Sequence, residues 1–238
     1  MSKKILIIGA TGSVGKSLAE MIKNDRNDAH LVAKNKEEVS KLSQETGFKF
    51  TVADVQDPNF IEILEKDLSS VEIQGIVYCV GSIDLKPLNL ITKKDYLKSF
   101  EINFFPIVDL IRKFQDTLKK NKASIVLFST VAVKQGFPNH SIISPVKAAL
   151  EGLTVSLASE LSPNIRINCI APSLSHSKMA DKLLKNPKIS EAIAKQHPLK
   201  RLGEGSDSAA LANFLLGTNS SWITGQIIGV DGGRSNVG

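Results

Sequence analysis

The sequence predicts an α/β domain: one doubly wound parallel sheet with helices on both faces. Two observations carry this. Short, β-branched apolar runs alternate with longer amphipathic stretches along the whole chain. The runs also lack the polar alternation of a half-solvated sheet, which marks strands buried on both faces. Strand–helix–strand alternation of this kind builds a parallel sheet, and right-handed crossovers wind it outward in two directions. The length of 238 residues suits a single such domain and a core that needs neither disulfides nor metal.

The elements follow in order. A first strand is expected over Lys4–Ile8 and a helix over Val14–Lys23. His30–Ala33 and Phe48–Ala53 read as the next strands, on either side of a helix over Glu37–Thr46. A helix over Asn59–Leu68 leads to a fourth strand, Gly75–Val80. One long amphipathic stretch, Lys93–Lys119, precedes a fifth strand, Ser124–Phe128. Ser144-Pro145 reads as an N-cap followed by proline at the first helical position, opening a helix over Pro145–Leu161. Arg166–Ile170, a variable stretch at 173–200, a helix over Asp207–Leu216 and a strand Gln226–Val230 complete the chain.

Composition excludes several classes. The chain is 42% hydrophobic and 23% charged, an ordinary globular balance. No stretch approaches the roughly 20 apolar residues of a membrane span. The first apolar run, Ile5 to Ile8, is too short for a signal peptide. Cys79 and Cys169 lie in apolar runs and read as small buried hydrophobes in a reducing compartment, so a cytoplasmic location is expected. The histidines and cysteines show no metal-ligand spacing, and no metal is expected. The net charge is +6, but the lysines lie beside acids, as in Lys36-Glu37-Glu38 and Glu65-Lys66-Asp67. That is a solvated mixed surface, and neither nucleic acid nor membrane is expected as a partner.

In a doubly wound sheet, ligands sit at the carboxyl ends of the strands. There the first strand runs into Gly9-Ala10-Thr11-Gly12-Ser13-Val14-Gly15. Glycines at this junction allow a tight turn, close backbone approach to a diphosphate and close helix–strand packing. The helix N-terminus then offers free N–H groups to phosphate. The same residues fit a relaxed phosphate-loop pattern ending Gly15-Lys16-Ser17, but Ala10 stands where the strict form needs glycine. A nucleotide triphosphatase also needs an acid at another strand end to organise Mg²⁺, and only Asp54 is offered. The dinucleotide reading is preferred, with Lys16 and Ser17 as first-turn helix residues.

An NAD site usually places an acid after the second strand, where this chain has Ala33, Lys34 and Asn35. Lys34 suits a 2′-phosphate, so NADP(H) is expected ahead of NAD(H), which stays open. The plain alternative is a surface lysine opening a helix. Asp54, followed by Val55, suits the adenine amine; its alternative is a helix N-cap ahead of Pro58.

Further motifs run through the chain: Cys79-Val80-Gly81, Asn103, Ser129-Thr130 and Lys147-Ala-Ala-Leu-Glu-Gly-Leu. Arg166-Ile-Asn168-Cys-Ile-Ala-Pro172 and Trp222-Ile-Thr-Gly-Gln-Ile-Ile-Gly-Val-Asp231-Gly-Gly233 are the most specific. In these the chain resembles the short-chain dehydrogenase/reductase superfamily over essentially its whole length. The resemblance implies a Rossmann-type sheet of about seven strands, hydride transfer between a nicotinamide and a carbonyl or alcohol, and a homodimer or homotetramer. The implied subunit contact uses the helices at 93–119 and 145–161. Ala148, Ala149, Leu150, Leu153 and Leu157 are a candidate face for it, or they face their own sheet.

The family's catalytic Asn, Ser and Lys fall on Asn103, Thr130 and Lys147, with Ser129 as an alternative hydroxyl. The tyrosine's place, four residues before the lysine, holds Ile143. The gap from Thr130 to Ile143 is the family's usual one, and neither Tyr78 nor Tyr96 is positioned by sequence to replace the phenol. The middle glycine sits one place early relative to the main branch. Pro172-Ser173 stands where the main branch has a Pro-Gly capping the nicotinamide, and Ser177 where it has a threonine near the carboxamide. The implied cofactor residues are then Gly9, Thr11, Gly12, Ser13, Val14, Gly15, Lys34, Asn35, Asp54, Val55, Cys79, Val80, Gly81, Lys147, Pro172, Ser173 and Ser177.

Isoleucine has no proton to give, and a positioned acid is typically worth about 10²–10⁴-fold. Three substitutes are open. His140 shares a helical face with position 143 if the helix extends back to it, and stays in a loop if Ser144 is the cap. Lys147 has its pKa lowered by burial beside a cationic nicotinamide. A third route is a substrate that needs no acid there, such as an activated C=C or an iminium. The stretch at 173–200 is expected to be a substrate lid carrying Met179, Leu183 and Leu184, with His176 and His197 near its ends. Two functions compete: an NADP(H)-dependent reductase of a small carbonyl, enone or imine with an altered proton donor, or an NADP-binding sensor of the same fold with little turnover.

Overall fold

The apolar runs become β1 (Lys4–Ile8), β2 (Asp28–Ala33), β3 (Lys49–Val52), β4 (Ile73–Tyr78), β5 (Ser124–Phe128), β6 (Arg166–Pro172) and β7 (Ile227–Val230). They pair in parallel in one seven-stranded sheet, ordered β3-β2-β1-β4-β5-β6-β7. The computed structural model describes residues 3–237, apart from the side chains of Lys182 and Leu183. The Leu183 side chain, expected on the lid, therefore lies outside the described residues. Strand order reverses between β1 and β4, which opens a crevice at their carboxyl ends.

The helices are α1 (Ser13–Asn24), α2 (Lys36–Thr46), α3 (Phe60–Leu68), α4 (Lys93–Asn103), α5 (Phe105–Lys120), α6 (Ile143–Leu161), the short α7 (Asp181–Leu184) and α8 (Pro187–Lys195), and α9 (Gly205–Leu216). Alternate strand residues feed two cores. Leu6, Ile8, Ile76 and Leu127 meet Leu64 of α3, Leu110 of α5 and Leu150 of α6. Ile7, Leu31, Val77 and Val126 meet Leu18 of α1, Leu42 of α2 and Leu215 of α9. Burying each such side chain contributes about 1.5–3 kcal/mol, which is why runs without polar alternation settle in the middle of the sheet.

Four expectations change. The stretch 93–119 is two helices, broken at Phe104, whose backbone leaves the helical region (φ −124, ψ −59). Pro106 is the cause: it has no N–H to give to the Ile102 carbonyl one turn back, and its ring crowds that carbonyl. Second, α6 starts at Ile143, two residues ahead of Pro145. Ser144 does not cap it; its hydroxyl donates to the Ala132 carbonyl at 2.8 Å. Proline is tolerated in the first turn because N–H groups there have no intrahelical partner. Third, the connection from β6 to β7 passes over the α1 and α9 face, opposite to the α5 and α6 face used by β4–β5–β6. Its hand is therefore reversed. The right-handed rule rests on a compact strand–helix–strand twist, and this connection first traverses the 173–200 segment.

Fourth, the choice left open for the face on α6 narrows: Leu150 is buried in its own sheet's core with Leu153 and Leu157 packed against it, while Ala148 and Ala149 stay half-buried. The exposed apolar side chains on α4, α5 and α6 are instead Leu97, Phe105 and Val155. Among the described residues no helix is long and apolar enough to cross a membrane, and no group of metal-ligating side chains gathers.

Candidate active site

The three glycines after β1 do three different jobs. Gly9 has φ +83, and a Cβ there would lie 2.9 Å from Val80 Cγ2. Gly15 is packed onto the turn itself, where a Cβ would lie 2.4 Å from the Gly9 carbonyl oxygen. Gly12 is exposed and open, with only the Gly9 oxygen within 3.4 Å of such a Cβ. A tight turn, close helix packing and a bare backbone available for ligand approach are the three demands of a diphosphate loop. No side chain caps α1 and no acid lies in its first turn, so its free N–H groups and positive dipole end face the crevice. Thr11, Ser13 and Val14 are half-buried along the same loop. Lys16 instead lies on the surface, 4.0 Å from Glu20 and 3.9 Å from Glu45. These residues fit a dinucleotide.

At the end of β2, Lys34 sits 3.9 Å from Asp54 across the mouth of β3. Asn35 caps α2 by accepting from the Glu38 N–H. Asp54 accepts from the Gln56 N–H at 3.1 Å and does not cap α3, whose N-cap residue is Asn59. Val55 packs on the core beneath. At the end of β4, burial pushes the Cys79 thiol up to about 12, against a smaller lowering by Lys147. Cys79 is therefore an inert apolar lining rather than a nucleophile.

Next comes Gly81, where the elements converge. A Cβ on Gly81 would lie 3.1 Å from Asn103 Oδ1 and 3.4 Å from Lys147 Nζ. The α4–α5 break presents Asn103 here. Its amide nitrogen donates to the Ser99 carbonyl at 2.9 Å and to Ser82 Oγ at 3.2 Å, while its Oδ1 accepts from the Ser82 N–H. Lys147 is buried on α6 and donates to the Phe128 carbonyl at 2.9 Å. Burial lowers its pKa to about 8. Thr130, just past β5, accepts from the Ala132 N–H at 3.2 Å. Ser129 is turned the other way: its hydroxyl donates to the Glu151 carboxylate on α6, which leaves Thr130 as the hydroxyl at the crevice.

Ile143 is 2% exposed, one turn before Lys147. His140 is not drawn into this group. Its Nδ1 lies 2.8 Å from the Pro138 carbonyl and its ring packs on Phe137, so both contacts stay within its own loop. Pro172 ends β6, and Ser173 follows with its N–H donating to Val230. Ser177 accepts from the Ala180 N–H and shapes the turn into α7.

Two residues noted in the sequence hold buried positions that sequence reasoning did not assign. The Tyr78 hydroxyl donates to the Ile102 carbonyl at 2.6 Å and pins the helix break beside Asn103. His197 is 1% exposed, with Nε2 2.8 Å from Ser173 Oγ and Nδ1 2.9 Å from the Ile193 carbonyl. No local pattern announces either; both depend on contacts more than twenty residues or a lid turn away.

Comparison with known proteins agrees with this geometry. A family profile described as enoyl-(acyl carrier protein) reductase matches residues 9–235. A chloroplastic tropinone reductase homolog of Arabidopsis thaliana is 32% identical over 97% of this chain and 74% of its own length. The chain belongs to the short-chain dehydrogenase/reductase superfamily. It is thus an oxidoreductase by family. The crystal structure of Cj0485 dehydrogenase superposes with a TM-score of 0.92 at 25% identity, covering 100% of this chain and 96% of the other. ElxO with NADP bound shares the fold at a TM-score of 0.89 and 24% identity over 98% of this chain and 99% of that one. A Tyr-to-Phe variant of ElxO has been solved with NADPH bound.

Proposed function

We propose that this short-chain dehydrogenase/reductase is an NADP(H)-dependent enzyme acting on a small carbonyl, enone or imine, and that it lacks the family's active-site tyrosine. One observation carries the reading. Asn103 Oδ1 and Lys147 Nζ meet at Gly81 beside a complete glycine loop, with only Ile143 a turn before the lysine. The bound nicotinamide supplies the hydride chemistry; the chain supplies position and charge.

In this reading the Gly9–Gly15 loop holds the diphosphate, Lys34 and Asn35 the 2′-phosphate, and Asp54 and Val55 the adenine. Cys79, Val80, Gly81, Pro172 and Ser173 line the nicotinamide, Ser177 its carboxamide, and Lys147 the ribose. Thr130 polarises the substrate oxygen. The NADP-bound neighbour supports NADP(H) over NAD(H), and its Tyr-to-Phe variant is a precedent for this fold holding NADPH after loss of a phenol. The 173–200 segment acts as the substrate lid. It exposes Met179 and Ile189, and the loop after β4 exposes Ile83, Leu85 and Leu88, an apolar rim suited to a partly apolar substrate.

A homodimer or homotetramer belongs to the same reading, through the exposed Leu97, Phe105 and Val155. So does a reducing, cytoplasmic location, supported by two free cysteines. Ile143 favours a second reading, an NADP-binding sensor with little turnover. NADPH oxidation with diacetyl, cyclohexenone and methylpyrroline separates the two. Turnover with any of them supports the enzyme. NADPH binding without turnover on all three supports the sensor.

A further inference from the structure

The 173–200 segment makes contacts on both sides of the glycine loop. Its base is pinned beside the loop. Ser175 bridges to Gly203 in parallel, the His176 N–H donates to the Gly203 carbonyl at 2.9 Å, and the Gly203 N–H donates to the Leu174 carbonyl at 3.1 Å. Two residues on, Gly205 opens α9 so close to the glycine loop that a Cβ there would lie 2.5 Å from the Ser13 carbonyl oxygen. From that base the chain makes one turn, in which Ser177 accepts from the Ala180 N–H at 3.2 Å. The turn carries Lys178, whose Nζ reaches α2 and donates to Glu38 Oε1 at 2.6 Å. The segment therefore runs from the Ser13 side of the loop to α2.

Where Lys178 lands on α2 decides what it can do. Glu38 is the third residue of that helix, and its N–H donates to Asn35 Oδ1 at 3.1 Å. Side chains on a helix lean toward its N-terminus, so the Glu38 carboxylate and the ammonium on it lie by the turn that Asn35 caps. The same turn carries Lys34, 3.9 Å from Asp54. Two lysines, one from the end of β2 and one from the lid, thus approach the residues assigned above to the 2′-phosphate, each resting on an exposed carboxylate. The Lys178 side chain is 77% exposed and that of Glu38 39%, and a pair so exposed holds its partners weakly. A phosphate dianion offers more charge and three acceptor oxygens. Without Lys178, the Glu38 carboxylate would stand uncompensated beside that phosphate.

We propose that Lys178 is a specificity-determining residue for NADP(H): the 2′-phosphate draws its ammonium off Glu38, so that selecting the phosphorylated cofactor and fastening the lid's first turn are one event. The inference rests on the NADP(H) reading above and goes beyond it, because it takes a discriminating cation from the lid as well as from the strand end. The weak pair with Glu38 lets the turn open for cofactor entry, and the phosphate then holds it shut. NADH has only hydroxyls on that ribose; it leaves Lys178 on Glu38 and the turn no better fastened than in the free protein.

The test is equilibrium binding to the full chain. NADPH and NADH are titrated by fluorescence, and adenosine 2′,5′-bisphosphate, which carries the phosphate without the nicotinamide, is titrated by displacement of NADPH. Amide hydrogen exchange of residues 174–186 reports the lid. Lys178→Ala is expected to weaken NADPH and adenosine 2′,5′-bisphosphate about ten-fold, the worth of one hydrogen bond to a charged group, and to leave NADH within about two-fold. Lys178→Arg keeps the preference. Glu38→Gln removes the competing carboxylate and tightens NADPH about two- to three-fold, and adding Lys178→Ala to it brings the loss back. At saturation NADPH slows exchange in 174–186 more than NADH does in wild type, and the two protect it equally in Lys178→Ala.

Equal weakening of NADPH and NADH by Lys178→Ala overturns the proposal, as does no weakening of either. So does recovery of wild-type NADPH affinity in the double variant, which makes Lys178 only a screen for Glu38, or equal protection of the wild-type lid by the two cofactors. A wild type that prefers NADPH and loses the preference in Lys34→Ala but not in Lys178→Ala defeats the lid's role alone. A wild type that binds NADH more tightly defeats the NADP(H) reading with it.

Discussion

Replacing Ile143 by tyrosine tests the proposed absence of an acid at that position directly. The side chain lies in the first turn of α6, one turn before Lys147, whose Nζ shares the space around Gly81 with Asn103 Oδ1. A phenol there would stand beside an ammonium that burial has brought to about 8. That group is mostly charged at neutral pH, and an opposite charge favours the phenolate, so the tyrosine's pKa falls toward a useful range. A positioned acid is worth about 10²–10⁴-fold, or about 2.7–5.5 kcal/mol of barrier. Ile143 is only 2% exposed, and a larger ring in a packed site costs about 1–3 kcal/mol of stability. A misplacement of one ångström gives back about 10² in rate. The net expectation is a rise in kcat of at least about ten-fold on the best carbonyl substrate, with a modest fall in Tm. The assay is NADPH oxidation, run beside a thermal melt and an NADPH titration. A variant that stays folded, binds NADPH as wild type does, and shows no rise in kcat refutes the reasoning. If His140→Ala also abolishes wild-type turnover, the proton comes from His140 and its loop must swing inward.

Other outcomes follow from the same structure. His30 is buried with Nε2 2.8 Å from Thr51 Oγ1, and that hydroxyl donates on to Asp67, while Nδ1 is left without a partner. Burial lowers its pKa to about 4, so the unfolded chain takes up a proton near pH 6.5 that the native one refuses. About 3 kcal/mol of stability should be present above pH 6.5 and be lost as the pH falls to about 4; urea melts of wild type and His30→Leu should show the slope only in wild type. Gly15→Ala should lower Tm sharply, since its Cβ would meet the Gly9 oxygen at 2.4 Å. Gly12→Ala should leave Tm near wild type and weaken NADPH binding; equal effects of the two on Tm would break the division of labour assigned to the loop. Light scattering should show a dimer or tetramer that Phe105→Glu dissociates, and a wild-type monomer at micromolar concentration would remove that part of the reading.

The sheet was legible because burial on both faces writes itself into a strand as an unbroken apolar run. β1 and β5 match their predicted bounds residue for residue, and the other strands differ by a few residues at their ends. The glycine loop was legible for a similar reason: Gly9 and Gly15 meet steric demands that no other residue meets, and Gly12 keeps their spacing with its backbone bare. What sequence patterns did not show lies where geometry depends on distant partners. The helix break at Phe104 depends on Pro106 but also on the Tyr78 hydroxyl, twenty-four residues away, holding the Ile102 carbonyl. The start of α6 was misplaced because Ser144 spends its hydroxyl on Ala132 rather than on a cap. His140, at helical spacing from Ile143, is kept in a loop by Pro138. His197 was read only as lying near an end of the 173–200 stretch; its burial had no local signal, since its partners are Ser173, just past β6, and Ile193 on α8.

Cofactor choice is the most direct test of the central claim, because it asks whether the crevice is an NADP(H) site at all. Lys34 faces Asp54 at 3.9 Å, and both are well exposed. Such a pair is worth only about 0–1 kcal/mol, so a 2′-phosphate should recruit the lysine at little cost. The measurement is a fluorescence titration of wild type and Lys34→Ala with NADPH and NADH. The account predicts that wild type binds NADPH more tightly than NADH and that Lys34→Ala narrows the gap by weakening NADPH alone. Tighter binding of NADH, or no binding of either cofactor, would contradict it.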